Sequence, residues 1–329
     1  MAHARVIPLV NGIQPGRRAI PEQVSRPPAA EPSALAGAES SVDVSPPESG
    51  QLADALADLI AFARRRLTGD YPIDEYGFDQ ELTETMLLPM FRQIYRRWFR
   101  VEVIGARHLP VDGSALLVAN HSGTLPVDSA MTAVAVHDNT PGARHLRMLG
   151  ADLVFRTPLL GALARKTGQT LACNADAERL LRDGELVGVW PEGFKGVGKP
   201  FRDRYKLQRF GRGGFVSAAL RTGAPIVPCA IVGAEEIYPK LADIAPLARL
   251  LGVPYVPVTP LFPWFGPLGL IPLPSKWYIE FGEPIPTDGF GAGADDDPML
   301  VFNLTDQVRE TIQLSLYRLL SQRRSAFFG

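Results

Sequence analysis

Beyond residue 100, short runs of β-branched and apolar residues alternate with longer stretches in which apolar residues recur at helical spacing. The short runs predict strands at 101–104, 116–119, 169–173, 186–190, 226–232 and 277–281. The longer stretches predict helices near 127–136, 158–166, 175–183, 212–222 and 298–322. For residues 101–329 this alternation predicts an α/β domain, with a mixed, mostly parallel sheet and helices on both faces.

The first hundred residues carry a different pattern. Residues 1–50 are rich in Pro, Ala, Ser and Glu without a sustained period, which is typical of a disordered tail. Apolar residues recur at helical spacing over 51–67, and a longer apolar stripe over 82–99 has arginines at its C-terminal end and a kink predicted at Pro89. We therefore interpret residues 51–100 as N-terminal amphipathic helices. The long stripe either packs against the sheet or lies on an anionic membrane.

Composition and charge exclude several classes of protein. The 329 residues carry a net charge of −1, so we expect no nucleic-acid partner. The two cysteines, Cys173 and Cys229, lie far apart without metal-ligand spacing, which predicts neither a disulfide framework nor a metal site. The N-terminus lacks the apolar core of a secretory signal, and prolines interrupt the apolar run at 250–275. We therefore expect a cytoplasmic protein without a membrane-spanning helix.

A histidine and a carboxylate follow the second predicted strand, with His121 two positions beyond its last residue and Asp128 seven positions later. A histidine accepts a proton from a hydroxyl near neutral pH when a partner on its other ring nitrogen holds it, and Asp128 is placed to be that partner. The alternative is that Asp128 only complements a helix N-terminus. Asn120, Ser122 and Gly123 make this loop polar at a strand end, where open sheets place their sites, and this favours a catalytic pair.

A second polar loop follows the strand at 186–190. It contains Glu192, Gly193 and Lys195, and Lys199 begins a cation-rich stretch. Backbone donors beside glycines, with lysines nearby, suit a phosphate group. The alternative is a solvated basic face. The four residues are therefore candidates for substrate binding.

The same loop also matches a nucleotide-binding pattern, because residues 193–199 read G-x-x-x-x-G-K. Pro200 stands where a Ser or Thr would ligate magnesium, so we do not expect nucleotide hydrolysis. No G-x-S-x-G sequence occurs, which argues against a serine hydrolase.

In their order along the chain, these motifs resemble those of the glycerolipid acyltransferase family, the lysophosphatidate acyltransferase-like enzymes of membrane lipid synthesis. The resemblance runs from about residue 82 to 286. It rests on Asn120-His121 with Asp128, on Pro191-Glu192-Gly193, and on Ala224-Pro225-Ile226-Val227-Pro228. It implies an O-acyltransferase that moves a fatty acyl chain from acyl-CoA or acyl-carrier protein to the hydroxyl of a lysophospholipid, with no further cofactor.

The resemblance also implies a role for each candidate residue. His121, oriented by Asp128, acts as general base, and amides near Ser122 and Gly123 stabilise the oxyanion. The substrate-binding residues are Asn120, Ser122, Gly123, Glu192, Gly193, Lys195 and Lys199. The enzyme is expected on the inner face of the membrane. The proline-rich run over 250–274 either enters that interface, lines an acyl channel or packs across the core.

Two departures from the family pattern leave the acceptor open. The aspartate follows the histidine by seven positions rather than the usual five, so the loop must bulge by two residues for the pair to meet. The usual arginine after Glu-Gly is replaced by Phe194-Lys195, and the family's phosphate-contacting arginine has no counterpart at 168–174, although Arg156 or Arg165 are possible substitutes. A neutral glyceride or another hydroxylated lipid is an alternative acceptor. A lipid-binding module without turnover is the alternative from another class.

Overall fold

The computed structural model describes residues 49–157, 159–211 and 213–328. The chain divides into two compact units, residues 1–67 and 68–329. Helix α1, Ser49–Thr68, forms where a helix is predicted over 51–67, and the guanidinium of Arg66 lies 4.7 Å from the ring centroid of Phe62. The tail predicted over 1–50 lies outside the described residues, apart from the first two residues of α1.

Seven of the nine strands in the described residues form one sheet, in the order β1-β9-β6-β2-β5-β3-β4. The strands are β1 Glu102–Ile104, β2 Ala115–Ala119, β3 Leu146–Gly150, β4 Thr170–Leu171, β5 Leu186–Val189, β6 Ile226–Val232, β7 Ala242–Asp243, β8 Pro257–Val258 and β9 Tyr278–Phe281. Within this sheet only the β6–β9 pair is antiparallel. The mixed, mostly parallel sheet is therefore confirmed. Strand β3 and the small β7–β8 pair are additional to the predicted strands.

Helices cover both faces of this sheet, as predicted. The remaining helices are α2 Gln80–Leu82, α3 Leu88–Gln93, α4 Val127–Asn139, α5 Asp152–Arg156, α6 Leu160–Lys166, α7 Asn174–Arg182, α8 Phe194–Val197, α9 Gly214–Thr222, α10 Ala245–Leu251 and α11 Pro298–Gln322. Successive strand residues point to opposite faces, so Leu117 of β2 packs in one hydrophobic cluster and Leu116 in the other. Helices α3 and α4 contribute to the first cluster, and α7, α9 and α11 to the second.

The predicted amphipathic helix over 82–99 is continuous through two π-helical turns, Thr83–Leu87 and Ile94–Trp98, which flank α3. Pro89 follows the first of these turns, in which the Leu88 amide bonds to the Thr83 carbonyl five residues back. Leu88 and the side chains of Tyr95 and Phe99 are buried in the first cluster. This part of the apolar stripe therefore packs against the sheet, whereas Met86, Met90 and Trp98 are exposed. This segment lies in the unit that begins at Thr68.

The order of three central strands brings the first two sequence motifs to one edge of the sheet, while the third motif, residues 224–228, runs alongside the start of β2. Strand β2 lies between β5 and β6 and runs parallel to both, with Val118 opposite Val189 on one side and Ala119 opposite Cys229 on the other. The loops after β2 and β5 therefore leave the sheet at the same edge. This edge is the place at which open parallel sheets form their sites.

Candidate active site

His121 and Asp128 are in contact. The His121 Nδ1 lies 2.8 Å from the Asp128 Oδ2; the Asp128 side chain has no exposed surface, and that of His121 is 15% exposed. Since the carboxylate accepts this hydrogen bond, Nδ1 carries the proton and the lone pair is on Nε2. The sequence spacing of seven residues therefore does allow the pair to meet.

The loop between the two residues accommodates its extra length through positive φ angles at Gly123 (98°) and Thr124 (64°). A Cβ atom on Gly123 would lie 2.8 Å from the Ala234 carbonyl oxygen, so both the backbone angle and the space require glycine. The Thr124 hydroxyl donates to the Tyr238 carbonyl at 3.0 Å, and the Tyr255 hydroxyl donates to the Thr124 carbonyl at 2.5 Å. These bonds fix the bulge that the longer spacing requires.

Asp128 is held from both sides by backbone donors. Its Oδ2 also accepts the Ser122 amide at 2.9 Å, and its Oδ1 accepts the Ser129 amide at 2.9 Å. Three donors, counting that of His121, therefore fix the orientation of the carboxylate. The Ser122 amide is consequently engaged by Asp128 and does not point to an oxyanion.

Glu192 lies behind His121 and does not line the cavity. Its side chain has no exposed surface, its Oε1 accepts the His121 amide at 2.9 Å, and its Oε2 accepts the Gln208 amide at 2.6 Å. The Pro-Glu-Gly motif thus fixes the backbone of the histidine from the neighbouring strand. Gly193, next in the motif, lies on the cavity wall.

Lys199 is a buried counter-ion. Its Nζ lies 3.3 Å from the Glu192 Oε2 and 3.3 Å from the Glu235 Oε1, with only 4% of its side chain exposed. Burial raises the pKa of Glu235 to about 7, and the charge of Lys199 opposes that rise. Lys195, on α8, is exposed. The two lysines predicted to bind substrate therefore occupy very different environments.

Asn120 connects the histidine loop to the next strand. Its Nδ2 donates to the Ile231 carbonyl at 3.0 Å, and its Oδ1 accepts the Ile231 amide at 2.7 Å. The residue is fully buried, and its side chain extends the pairing of β2 with β6. The Asn-His motif therefore combines a structural clamp with a histidine that reaches the cavity.

A cavity of about 490 Å³ opens beside His121. One end of the cavity is lined by His121, Trp190, Gly193 and Phe194, and we call this end the mouth. One face of α4 forms a wall, through Pro126, Ser129, Ala130, Ala133, Val134 and His137. The lining is mainly apolar, and the volume falls within the roughly 300–1,000 Å³ of small-molecule sites. The site therefore combines His121, a candidate general base, with a cavity that can hold an apolar chain.

The amino-acid sequence of this chain is similar to those of known proteins. The sequence model named Acyltransferase matches residues 100–232, which contain both polar loops. The chain therefore contains a domain of the acyltransferase family over residues 100–232. An uncharacterized protein of Mycobacterium tuberculosis is 59% identical over 290 residues, which cover 88% of this chain and 80% of the relative. One of Mycobacterium leprae is 60% identical over 279 residues, or 85% of this chain and 76% of the relative.

Two further similarities are to proteins with described activities. The human DGAT1/2-independent enzyme synthesizing storage lipids is 26% identical over 197 residues, which cover 58% of this chain and 55% of the human protein. The crystal structure of the 1-acyl-sn-glycerophosphate acyltransferase PlsC of Thermotoga maritima aligns with 73% of this chain and 83% of its own, at 20% identity and a TM-score of 0.47.

Two features of this acyltransferase site are absent from the sequence analysis. Trp190 lies against His121 with ring centroids 5.9 Å apart, and its buried Nε1 has no hydrogen-bond partner among the described residues. Ala130 and Ala133 are small residues on the face of α4 that lines the cavity. The signal for both was available, since Trp190 directly precedes the Pro-Glu-Gly motif and the alanines follow Asp128 on one helical face.

The arginines considered as phosphate ligands have other neighbours. Arg156 pairs with Asp152 at 2.7 Å and is largely exposed. The Arg165 guanidinium lies 4.9 Å from the ring centroid of Phe155. Both side chains thus engage α5. None of the helices within residues 49–157, 159–211 and 213–328 is both long enough and apolar enough to cross a membrane.

Proposed function

We propose that this acyltransferase moves a fatty acyl chain from the thioester of acyl-CoA or acyl-carrier protein to the hydroxyl of a lysophospholipid. The observation that supports this most strongly is the His121–Asp128 pair, with its 2.8 Å contact, at the mouth of an apolar cavity. A histidine held in this tautomer is suited to deprotonate a hydroxyl. An apolar cavity is suited to the chain that is transferred.

The chemistry follows from the free nitrogen of His121. Its Nε2 takes the proton of the acceptor hydroxyl as the oxygen attacks the thioester carbonyl. The tetrahedral intermediate then collapses, the carbon–sulfur bond breaks, and the imidazolium returns the proton to the leaving thiolate. Asp128 stabilises the imidazolium between these steps. No acyl-enzyme is formed, because the acceptor attacks the donor directly.

The predicted binding residues divide into two groups in this proposal. Asn120, Glu192 and Lys199 act as positioning residues, since each bonds to protein groups behind His121. Gly193 lines the mouth, and exposed Lys195 supplies a point charge for an acceptor phosphate. With the Ser122 amide engaged by Asp128, the Gly123 amide is the remaining one of the two predicted oxyanion donors, and Gly123 lies outside the cavity lining.

A neutral glyceride is the second candidate acceptor. Of the lysines predicted to bind substrate, only Lys195 is exposed, and a single lysine lacks the fork of donors with which arginine binds a phosphate. The human relative is named for the synthesis of storage lipids, which are neutral. A lipid-binding module without turnover is disfavoured by the fully buried carboxylate on His121.

We further propose that the enzyme is peripheral on the inner face of the membrane. The run at 250–274 exposes large apolar side chains, with Trp264 at 74% and Leu268 at 65%. The Trp98 Nε1 donates to the Pro272 carbonyl at 2.9 Å, which brings the end of this run beside a helix terminus that carries Arg96 and Arg97, both exposed. Apolar and cationic groups side by side suit an anionic lipid surface.

Vesicle flotation tests this membrane contact. The double substitution Trp264→Asp and Phe265→Asp is expected to weaken binding to phosphatidylglycerol vesicles by about tenfold or more, because each aromatic ring that enters the interface contributes roughly 1.5–3 kcal/mol. Leu314→Asp, at an exposed apolar position on α11, is the matched control. Equal flotation of the folded double variant and of the control would contradict the proposal.

A thiol-release assay tests the activity. Purified protein and acyl-CoA are incubated with lysophosphatidate, other lysophospholipids, monoacylglycerol or diacylglycerol, and both the free thiol and the acylated lipid are measured. We expect both products to form with a lysophospholipid and the His121→Ala rate to be lower by about 10²–10⁴-fold. His108→Ala, on the 3-10 turn Ala106–His108, is the matched histidine control.

The same assay separates the alternatives. Acylation confined to glycerides supports the neutral acceptor. Lipid binding without thiol release identifies a binding module. A His121→Ala protein that transfers acyl chains at the wild-type rate rules out the proposed mechanism.

A further inference from the structure

Three potential ligands converge at the cavity end away from His121. They are Glu84 in the first π turn, His137 in the last turn of α4 and His145 just before β3. One ligating atom from each lies within 4.8 Å of the others. The His145 Nε2 is 2.9 Å from the Glu84 Oε1, and the two imidazole rings have centroids 5.0 Å apart.

His137 leaves one ring nitrogen without a partner. Its side chain is only 10% exposed, and among the described residues its buried Nε2 finds no hydrogen-bond partner. Buried polar atoms of this kind are rare in folded proteins and require an explanation. His137 and His145 both line the cavity, so this nitrogen belongs to a side chain of the cavity wall.

The surroundings of His137 suit metal coordination. Its Nδ1 lies 3.4 Å from the Asp138 Oδ1, and a hydrogen bond from Nδ1 to that carboxylate leaves the lone pair on Nε2. In the structure the Arg92 Nη2 donates to the same Nδ1 at 3.1 Å, so cation binding requires the imidazole proton to move from Nε2 to Nδ1 and this contact to break, while the 2.6 Å bond of Arg92 to Asp138 persists. The Gln80 side chain donates to the Glu84 Oε1 at 2.9 Å and so orients the third ligand.

We propose that Glu84, His137 and His145 form a binding site for a divalent cation of the zinc class, with one coordination position open to the cavity. Two histidines and a glutamate are a ligand set that zinc favours where a fourth position stays open. In a tetrahedral site two ligands bound at roughly 2.0–2.1 Å lie about 3.4 Å apart, so the side chains, whose ligand atoms lie within 4.8 Å of one another, must move inwards by up to about 1.4 Å. The Glu84 side chain is 43% exposed, and its Oε1 is held by the Gln80 amide and lies 2.9 Å from the His145 Nε2.

This site revises the expectation of no metal, which rested on the two cysteines. The bound cation ties the π turn that carries Glu84 to the end of α4 and to the start of β3. It lies about 13 Å along α4 from Asp128, because nine residues at 1.5 Å each separate Asp128 from His137. The site is therefore independent of the proposed acyl transfer, and its test does not depend on activity.

Metal titration of the full-length protein, purified with a chelator and dialysed, tests the site. We expect one Zn²⁺ per chain in competition with a chromophoric chelator, a visible Co²⁺ spectrum of the four-coordinate type, and a higher thermal midpoint with saturating Zn²⁺. Glu84→Gln and His137→Gln are each expected to weaken binding by about a hundredfold or more, and His108→Ala to leave it unchanged.

Circular dichroism verifies that both variants remain folded. The proposal is overturned by a wild-type protein that binds no Zn²⁺, or by folded Glu84→Gln and His137→Gln proteins that retain its stoichiometry and affinity. A thiolate-to-Co²⁺ charge-transfer band that disappears in Cys173→Ser also overturns it, because the cation then lies on a cysteine.

Discussion

The two ends of the cavity each hold a histidine against a carboxylate, but they hold it differently. At the mouth, Asp128 has no exposed surface and accepts two backbone amides as well as His121. At the far end, Glu84 is 43% exposed, and His137 beside it keeps a nitrogen with no hydrogen-bond partner in the described part of the chain. A saturated carboxylate fixes one histidine tautomer, whereas an unsaturated cluster can accept a ligand.

The largest expected effect comes from Asp128→Asn, which removes the charge of the carboxylate that contacts His121. The amide keeps the shape of the side chain but not its charge, so the imidazolium loses its counter-ion and His121 loses its fixed tautomer. We expect kcat in the thiol-release assay to fall by about 10²–10⁴-fold. Loss of one acceptor for the Ser122 or Ser129 amide also lowers the free energy of unfolding by about 1–3 kcal/mol.

Asp243→Asn is the control for this substitution, because Asp243 pairs with Lys240 at a partly exposed position. Its kcat should equal that of the wild type. An Asp128→Asn protein that is folded and retains kcat within about threefold would show that the carboxylate only supports the loop, since a general-base role predicts a loss of at least about a hundredfold.

The mouth could be predicted because its residues are local in sequence. Polar side chains directly after a buried strand indicate a site at the sheet edge, and His121 and Asp128 share one loop. The direction in which a side chain points is not local. The sequence therefore predicts that Glu192 and Lys199 bind substrate, whereas in the structure the Lys199 Nζ lies 3.3 Å from the Glu192 Oε2. Their polar partners come from segments that meet only in the folded protein.

The far end could not be predicted for the same reason. Glu84, His137 and His145 come from three separate segments, and one of these enters a strand that sequence analysis missed. Strand β3 carries Arg147 at its second position, which breaks the apolar pattern. That arginine is buried because Asp74 and Glu185 pair with it at 2.6 Å and 3.1 Å. The strand is therefore apparent only once these partners are known.

Glu235, which contacts Lys199 behind His121, predicts that the stability of the protein depends on pH. Burial raises the pKa of Glu235 from its ordinary 4.5 to about 7 in the folded protein. The folded state therefore holds this proton more tightly. The resulting stabilisation is complete below pH 4.5 and is lost as the pH rises through 7. At about 1.4 kcal/mol per pKa unit, the loss is on the order of 3 kcal/mol.

Glu235→Gln tests this origin, because glutamine stays neutral and can still accept the Tyr205 amide. Urea unfolding at pH values from 4.5 to 8 is expected to show the free energy of unfolding of the variant rising relative to wild type, by on the order of 3 kcal/mol over the range. Glu283→Gln, at an exposed position, should run parallel to wild type. If the free energy of unfolding of Glu235→Gln has the same pH dependence as that of the wild type, the titrating group is a residue other than Glu235.

The smallest expected effect comes from Ala133→Phe, which is designed to block the cavity between its two ends. Ala133 lies on the cavity wall about one turn of α4 before His137, so a phenylalanine there fills the passage between the mouth and the far end. If the acyl chain extends down this passage, Ala133→Phe should lower kcat/KM for palmitoyl-CoA relative to octanoyl-CoA by about tenfold, since each methylene excluded from an apolar pocket costs roughly 1–3 kcal/mol. Ala133→Ser, which adds little volume, should leave that ratio near the wild-type value. An unchanged ratio in a folded Ala133→Phe protein would mean that the chain takes another path from His121.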